Sequence, residues 1–213
     1  MNKNNKKRLH IAVSGNIGAG KTLLAEKLAR HYQMEKAFEP VEQNPYLGDF
    51  YMDMPRWAFN IQMYFLHSRF RQNLDIQKSD KNVIQDRSIY EDAHVFAKNL
   101  NQSGYLQDRD YQTYLDFYSS MSPYVAPPDL MIYLRAGIPR LVENIQERGR
   151  AFENSIRLDY LRDLNSLYEQ WVTDYSESKQ IIVEADHLDF DNNVDDFANI
   201  INLIEAEIHG LFN

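Results

Sequence analysis

Residues 15–22 read Gly-Asn-Ile-Gly-Ala-Gly-Lys-Thr, the full pattern G-x-x-x-x-G-K-[ST], directly after the apolar residues Leu9, Ile11, Ala12 and Val13. The pattern functions only where a strand feeds a tight turn and the turn opens a helix, so it constrains the fold more than any other stretch. Its glycines let the backbone curl until successive N–H groups face inward at phosphate oxygens. The helix that follows adds the positive end of its dipole. Gly15, Asn16, Ile17, Gly18, Ala19 and Gly20 are therefore the expected phosphate cradle. Lys21 reaches for the β- and γ-phosphates and Thr22 offers its hydroxyl to Mg²⁺. Leu23, Leu24 and Leu28 continue the helix.

Apolar β-like runs recur at Leu9–Ser14, Ala37–Glu39, Asn82–Asp86, Leu130–Leu134 and Ile181–Glu184. Helix-period stretches separate them at Thr22–Tyr32, Pro55–Gln77, Tyr90–Leu100, Arg109–Met121, Pro139–Arg148, Asn154–Tyr175 and Asp195–Leu211. Strands alternating with helices predict right-handed crossovers, hence a three-layer α/β fold with a five-stranded parallel sheet flanked by helices. Residues 1–8 read as a basic, flexible leader and 9–213 as one domain. Ligands of such sheets bind beyond the carboxyl ends of the strands, so the residues after each strand are the ones to read.

The second strand ends at Phe38-Glu39-Pro40, where the proline holds Glu39 extended. The sheet is expected to set Glu39 beside the phosphate loop. A carboxylate there suits removal of a proton from a hydroxyl attacking phosphorus. It would repel an incoming phosphate, which favours a neutral hydroxyl acceptor over a nucleoside monophosphate. The third strand ends at Asp86-Arg87-Ser88. Asp86 can hold Mg²⁺ directly or through water, and Arg87 can steady the phosphates or pin Glu39. Gln62, Phe65 and Arg69 share one helix face at i, i+3 and i+7, and a Gln amide matches the donor–acceptor edge of adenine. Trp57 and Phe96 offer aromatic walls. The run Arg148-Gly149-Arg150 suits a mobile lid that closes over phosphates.

These motifs resemble the deoxyribonucleoside kinases over about residues 9 to 210. The likeness rests on residues 15–22, on Glu-Pro-Val-Glu-Gln-Asn-Pro-Tyr-Leu (39–47) and on Pro-Arg-Trp-Ala-Phe-Asn-Ile-Gln-Met-Tyr-Phe-Leu (55–66). It continues in Gln-Asp-Arg-Ser-Ile-Tyr-Glu-Asp (85–92) and Glu-Arg-Gly-Arg-Ala-Phe-Glu (147–153). The wording is most similar to the bacterial branch that includes deoxyadenosine kinases. The resemblance implies transfer of the ATP γ-phosphate, with Mg²⁺, to the 5′-hydroxyl of a deoxynucleoside in salvage, deoxyadenosine first and deoxycytidine or deoxyguanosine next. It assigns Glu39 as general base with Arg87 near it, Tyr51 and Glu153 to the 3′-hydroxyl, and Gln62 to the base edge. Arg69 and Asp92 form the polar end of that pocket, Trp57 and Phe96 flank the ring, and Arg148 and Arg150 belong to a lid around 147–155. A homodimer is implied as well, with Met63, Tyr64, Tyr111, Tyr114, Tyr118 and Met121 as candidate face. Two positions depart from relatives: Asn144 stands where several carry another basic lid residue, and Phe65 where some pyrimidine users have a small one.

Other classes fit less well. A regulatory GTPase needs D-x-x-G and N-K-x-D, and neither occurs. A nucleoside monophosphate kinase shares the loop but not Glu39 with the Gln62, Arg69 and Asp92 set, and a non-catalytic scaffold has no use for a base. The 31 acidic against 23 basic residues give a net charge of −8, which disfavours a polymeric nucleic-acid partner. The leader lacks an apolar core for secretion, no run is long enough for a membrane span, and there is no cysteine, so a cytoplasmic location is expected. His67, His94 and His187 are isolated and predict no metal cage. Asp186, His187, Asp189 and Phe190 follow the last strand, where this fold brings the donor's base.

Overall fold

The computed structural model describes residues 8–38, 41–150, 153 and 155–211. The strands β1 (His10–Gly15), β2 (Glu35–Ala37), β3 (Val83–Asp86), β4 (Leu130–Arg135) and β5 (Lys179–Glu184) form one sheet in the order β2-β3-β1-β4-β5. Every pairing is parallel. The helices are α1 (Lys21–His31), α2 (Leu47–Met52), α3 (Met54–Lys78), α4 (Ile89–Glu91), α5 (Lys98–Gln102), α6 (Asp108–Met121), α7 (Ile138–Arg148), α8 (Leu158–Asp174) and α9 (Val194–Leu211).

Alternation along β4 shows how the layers arise. Leu130, Ile132 and Leu134 pack with Leu24, Leu28, Ile200 and Ile204 on one face. Met131 and Tyr133 pack with Ile61, Leu66, Tyr114 and Tyr168 on the other. Successive strand residues point to opposite faces, so a strand apolar throughout must be covered twice. The predicted three-layer architecture is the one observed. Register then sets the chemistry: Val13 pairs with Asp86 and Gly15 with Leu134, which places the phosphate loop between the ends of β3 and β4. β3 thus intervenes between β2 and β1, and Asp86 ends the strand adjoining the loop.

Several boundaries differ from the sequence reading. β2 covers Glu35–Ala37 instead of Ala37–Glu39, pairing Glu35 with Val83. It is an edge strand with Glu35 and Lys36 exposed, so it carries no apolar run. The helix expected over Tyr90–Leu100 is interrupted by a π-helical turn at Asp92–Ala97 between α4 and α5. α8 begins at Leu158, four residues after the expected Asn154, which lies outside the described residues. α2 was not anticipated. Tyr114, a candidate dimer-face residue, is fully buried in the core, while Met63, Tyr111, Tyr118 and Met121 are half-buried against that core. No helix among the described residues is long and apolar enough to cross a membrane.

Candidate active site

The phosphate loop is braced from two sides. Asn16 donates through Nδ2 to Leu161 O and to Asn165 Oδ1, both at 3.1 Å, and its Oδ1 accepts the Ile17 N–H at 2.8 Å. This ties the loop to α8. On the other side Gly18 has φ +85°, and a Cβ there would stand 2.5 Å from Leu141 O, so only glycine fits against α7. Asn144 donates to Gly18 O at 2.7 Å and fastens the same helix to the loop. Lys21 is buried and its Nζ donates to Asn16 O at 2.7 Å. Burial, with Arg87 and then Arg148 nearby, holds its pKa well below the ordinary lysine value, against opposition from Asp86 and Glu91.

Thr22 Oγ1 donates to Asp86 Oδ2 at 2.5 Å, and Asp86 Oδ1 is buried without a hydrogen-bond partner. A hydroxyl and a carboxylate held together, with one carboxylate oxygen unmet, form an oxygen donor set of the kind Mg²⁺ takes. The residues therefore fit the ion. Among the described residues no cluster of three or more His, Cys, Asp or Glu side chains is placed to hold a metal.

Around the corner of β3 the chain builds a polar wall. Arg87, at φ +73°, lies with its guanidinium 4.6 Å from the Phe96 ring centre. Arg69, almost fully buried, donates to Asp86 O at 2.7 Å and sets Nε 3.3 Å from Asp92 Oδ2. The π-helical turn carries Asp92 and Phe96 onto one cavity wall, a distortion that often accompanies functional sites. Gln62 is buried, and its Oε1 accepts no hydrogen bond. Tyr51 shares the cavity with Glu153; burial, then the Glu153 charge, raises its phenol above the ordinary range.

One cavity is lined by Tyr51, Gln62, Arg69, Asp92, Phe96 and Glu153 together with Ile17, Gly18, Lys21, Thr22, Asp86, Arg87, Arg148 and Arg150. Most of the residues predicted from sequence are thereby brought together. Trp57 is not among them: its ring packs 5.8 Å from Tyr46, with the Arg56 guanidinium 4.4 Å from its centre. Phe50, Phe65 and Tyr160 supply aromatic walls instead. Glu39, the expected base, lies outside the described residues, as do residues 1–7 of the leader and 151, 152 and 154 of the lid. Arg148 forks onto Glu153 at 3.0 and 2.6 Å, and Arg150 Nη1 lies 3.6 Å from the same carboxylate. Gly149, at φ +63°, ends α7 between the two arginines.

A second groove continues from the loop past Arg140 and Asn144 to Leu188–Asn192. Lys27 donates to Phe190 O and Asp191 O, both at 2.6 Å, and so clamps that segment to α1. Between the last strand and that segment Asp186 accepts the Gly137 N–H at 2.6 Å, and within the segment Asp189 accepts the Asn192 N–H at 3.1 Å.

The family model for deoxynucleoside kinases matches residues 11–209. The chain belongs to the deoxynucleoside kinase family. It is 44% identical over 167 residues to a deoxyadenosine kinase of Dictyostelium discoideum, covering 78% of this chain and 68% of the relative. A deoxyadenosine/deoxycytidine kinase of Bacillus subtilis is 34% identical over 201 residues, 93% of each chain. The solved deoxyadenosine kinase of M. mycoides, with dCMP and dCDP bound, superposes with a TM-score of 0.84 at 30% identity, over 93% of this chain and all of that one.

Three contacts of this deoxynucleoside kinase's site do not stand out in the sequence: those of Glu91, of Tyr168 and of Asn144 with Gly18. Glu91 stands inside the Asp-Arg-Ser-Ile-Tyr-Glu-Asp motif and its spacing of four from Arg87 was available as a signal. Tyr168 sits among the buried apolar positions of α8, where nothing in the sequence marks it as polar machinery.

Proposed function

We propose that this kinase transfers the γ-phosphoryl group of ATP to the 5′-hydroxyl of deoxyadenosine. The observation that carries the base assignment is Gln62, a buried amide whose oxygen has no partner, in a cavity with the Arg69–Asp92 pair and the Phe96 ring. Adenine presents an amino donor beside a ring-nitrogen acceptor, which one Gln amide can meet with two hydrogen bonds. The deoxyadenosine kinases among the relatives support the same base. Deoxycytidine is the second reading, favoured by the relative in Bacillus subtilis that is named for both substrates.

In this reading Tyr51 and Glu153 hold the 3′-hydroxyl, and Glu39 takes the proton of the 5′-hydroxyl as it attacks. Lys21, Arg87, Arg148 and Arg150 neutralise charge on the transferring phosphoryl group, so catalysis is mainly positioning and electrostatics. Thr22 and Asp86 would hold Mg²⁺, which supplies charge neutralisation for the ATP phosphates. A phosphate oxygen would add a counter-charge beside the buried Lys21 ammonium to those of Asp86 and Glu91. A homodimer and a cytoplasmic location belong to the same proposal; Phe117, 46% exposed on α6, supports a contact surface there.

The test is ³¹P NMR of the product formed from ATP, Mg²⁺ and deoxyadenosine, with Glu39→Gln run in parallel. The expected outcome is a 5′-monophosphate, abolished by chelation, with kcat down roughly 10²-fold or more in the variant. A different phosphorylated position, or a near-normal kcat in Glu39→Gln, would overturn the proposal.

A further inference from the structure

Arg87 is mounted more rigidly than a surface arginine at a strand end. Its backbone is in the left-handed region at φ +73°, unusual for a side-chain-bearing residue, and its N–H is fixed to Val13 O at 2.9 Å. Nη1 donates to Tyr168 Oη at 2.6 Å and to Glu91 Oε2 at 3.1 Å. The Tyr168 hydroxyl in turn donates to the same Glu91 oxygen at 2.6 Å, closing a three-membered ring of hydrogen bonds. Glu91 is fully buried, and its other oxygen accepts the Ser88 N–H at 2.8 Å. Tyr168 is fully buried too, its ring stacked on Tyr133 at 5.9 Å and edge-on to Phe96 at 6.1 Å.

A carboxylate without solvent exposure is an expensive way to stabilise a core, since apolar packing of the same volume does as well or better. What it delivers here is a fixed guanidinium. Nη1 is tied to the core while Arg87 lines the cavity beside Lys21 and Asp86. Preorganised charge of this kind is worth most in catalysis because it needs no reorganisation as the transition state forms.

We infer that Glu91 and Tyr168 are positioning residues that aim Arg87 at the transferring phosphoryl group. Neither contacts substrate; both act through Arg87. The inference rests on the proposed role of Arg87 at the reacting centre.

The experiment is a double-mutant cycle on kcat with Arg87→Ala, Tyr168→Phe and the double variant, with Tm recorded for each. Tyr168→Phe keeps the stacked ring and removes only the hydroxyl. Arg87→Ala is expected to lower kcat by about 10²-fold or more. Tyr168→Phe should lower kcat about tenfold, the scale of a small misplacement, while each KM stays within about twofold. In the Arg87→Ala background the same change should alter kcat by less than about twofold, because the residue it acts through is gone. An equal loss in both backgrounds, or no loss in Tyr168→Phe alone, overturns the inference and leaves the role of Arg87 standing. An unchanged kcat in Arg87→Ala overturns that role and the inference with it.

Discussion

Gln62→Met separates stability from recognition, because the two consequences have opposite sign. In the protein without ligand Gln62 is 3% exposed and its amide oxygen meets no donor. An unmet buried polar group costs about 1–3 kcal/mol. Methionine has a similar length, fills irregular space and leaves nothing to satisfy. The unliganded variant should therefore gain about 1 kcal/mol, which in a domain of this size raises Tm by roughly 2–4 °C. Recognition moves the other way. Losing two hydrogen bonds to the base, at about 1 kcal/mol each, removes about 2 kcal/mol. That corresponds to roughly 30-fold in kcat/KM for deoxyadenosine. Differential scanning calorimetry without ligand and initial rates with deoxyadenosine measure the two effects in one preparation. A variant that melts several degrees lower and retains full kcat/KM would make Gln62 a structural residue with no part in base recognition.

Lys21→Met should lower kcat by roughly 10²–10³-fold, read in a coupled ADP assay. Because burial depresses the Lys21 pKa, the unfolded chain binds the extra proton, and stability rises with pH until the unfolded lysine also deprotonates. Urea midpoints against pH should lose that rise in the variant. Asn144→Asp cannot donate to Gly18 O and sets a carboxylate against it, so KM for ATP should rise at least several-fold with deoxyadenosine affinity unchanged. His10 is held neutral by burial, its pKa down from 6.5 to about 4, with Gln85 and Asp129 opposing the shift. Its contribution is complete above pH 6.5 and is lost as the pH falls toward 4, a change of about 3 kcal/mol. His10→Gln should flatten the acid limb of a stability–pH curve.

The phosphate loop was legible because its residues are contiguous and each has a separate job in the pattern. The sheet was legible for the same local reason: β1, β3 and β4 are covered on both faces and read as apolar runs. β2 escaped correct placement because an edge strand with Glu35 and Lys36 exposed carries no such signal. The π-helical turn at Asp92–Ala97 left no trace in a pattern read at 3.6 residues per turn. Trp57 shows the converse error. Its helix was read correctly, but which aromatic lines the cavity is decided by tertiary packing, where Tyr46 takes Trp57 and Phe50 and Tyr160 take the wall. Tyr168 was hidden by its own burial, since a core tyrosine with a functional hydroxyl is spaced like any other core residue.

The most direct test of deoxyadenosine as the acceptor is the initial rate of phosphate transfer from Mg·ATP to each candidate. The candidates are deoxyadenosine, deoxyguanosine, deoxycytidine, thymidine, adenosine and dAMP. The highest kcat/KM is expected for deoxyadenosine, with a low value for adenosine and no turnover of dAMP. Preference for another deoxynucleoside would contradict the role given to Gln62, and turnover of dAMP alone would contradict a hydroxyl acceptor altogether.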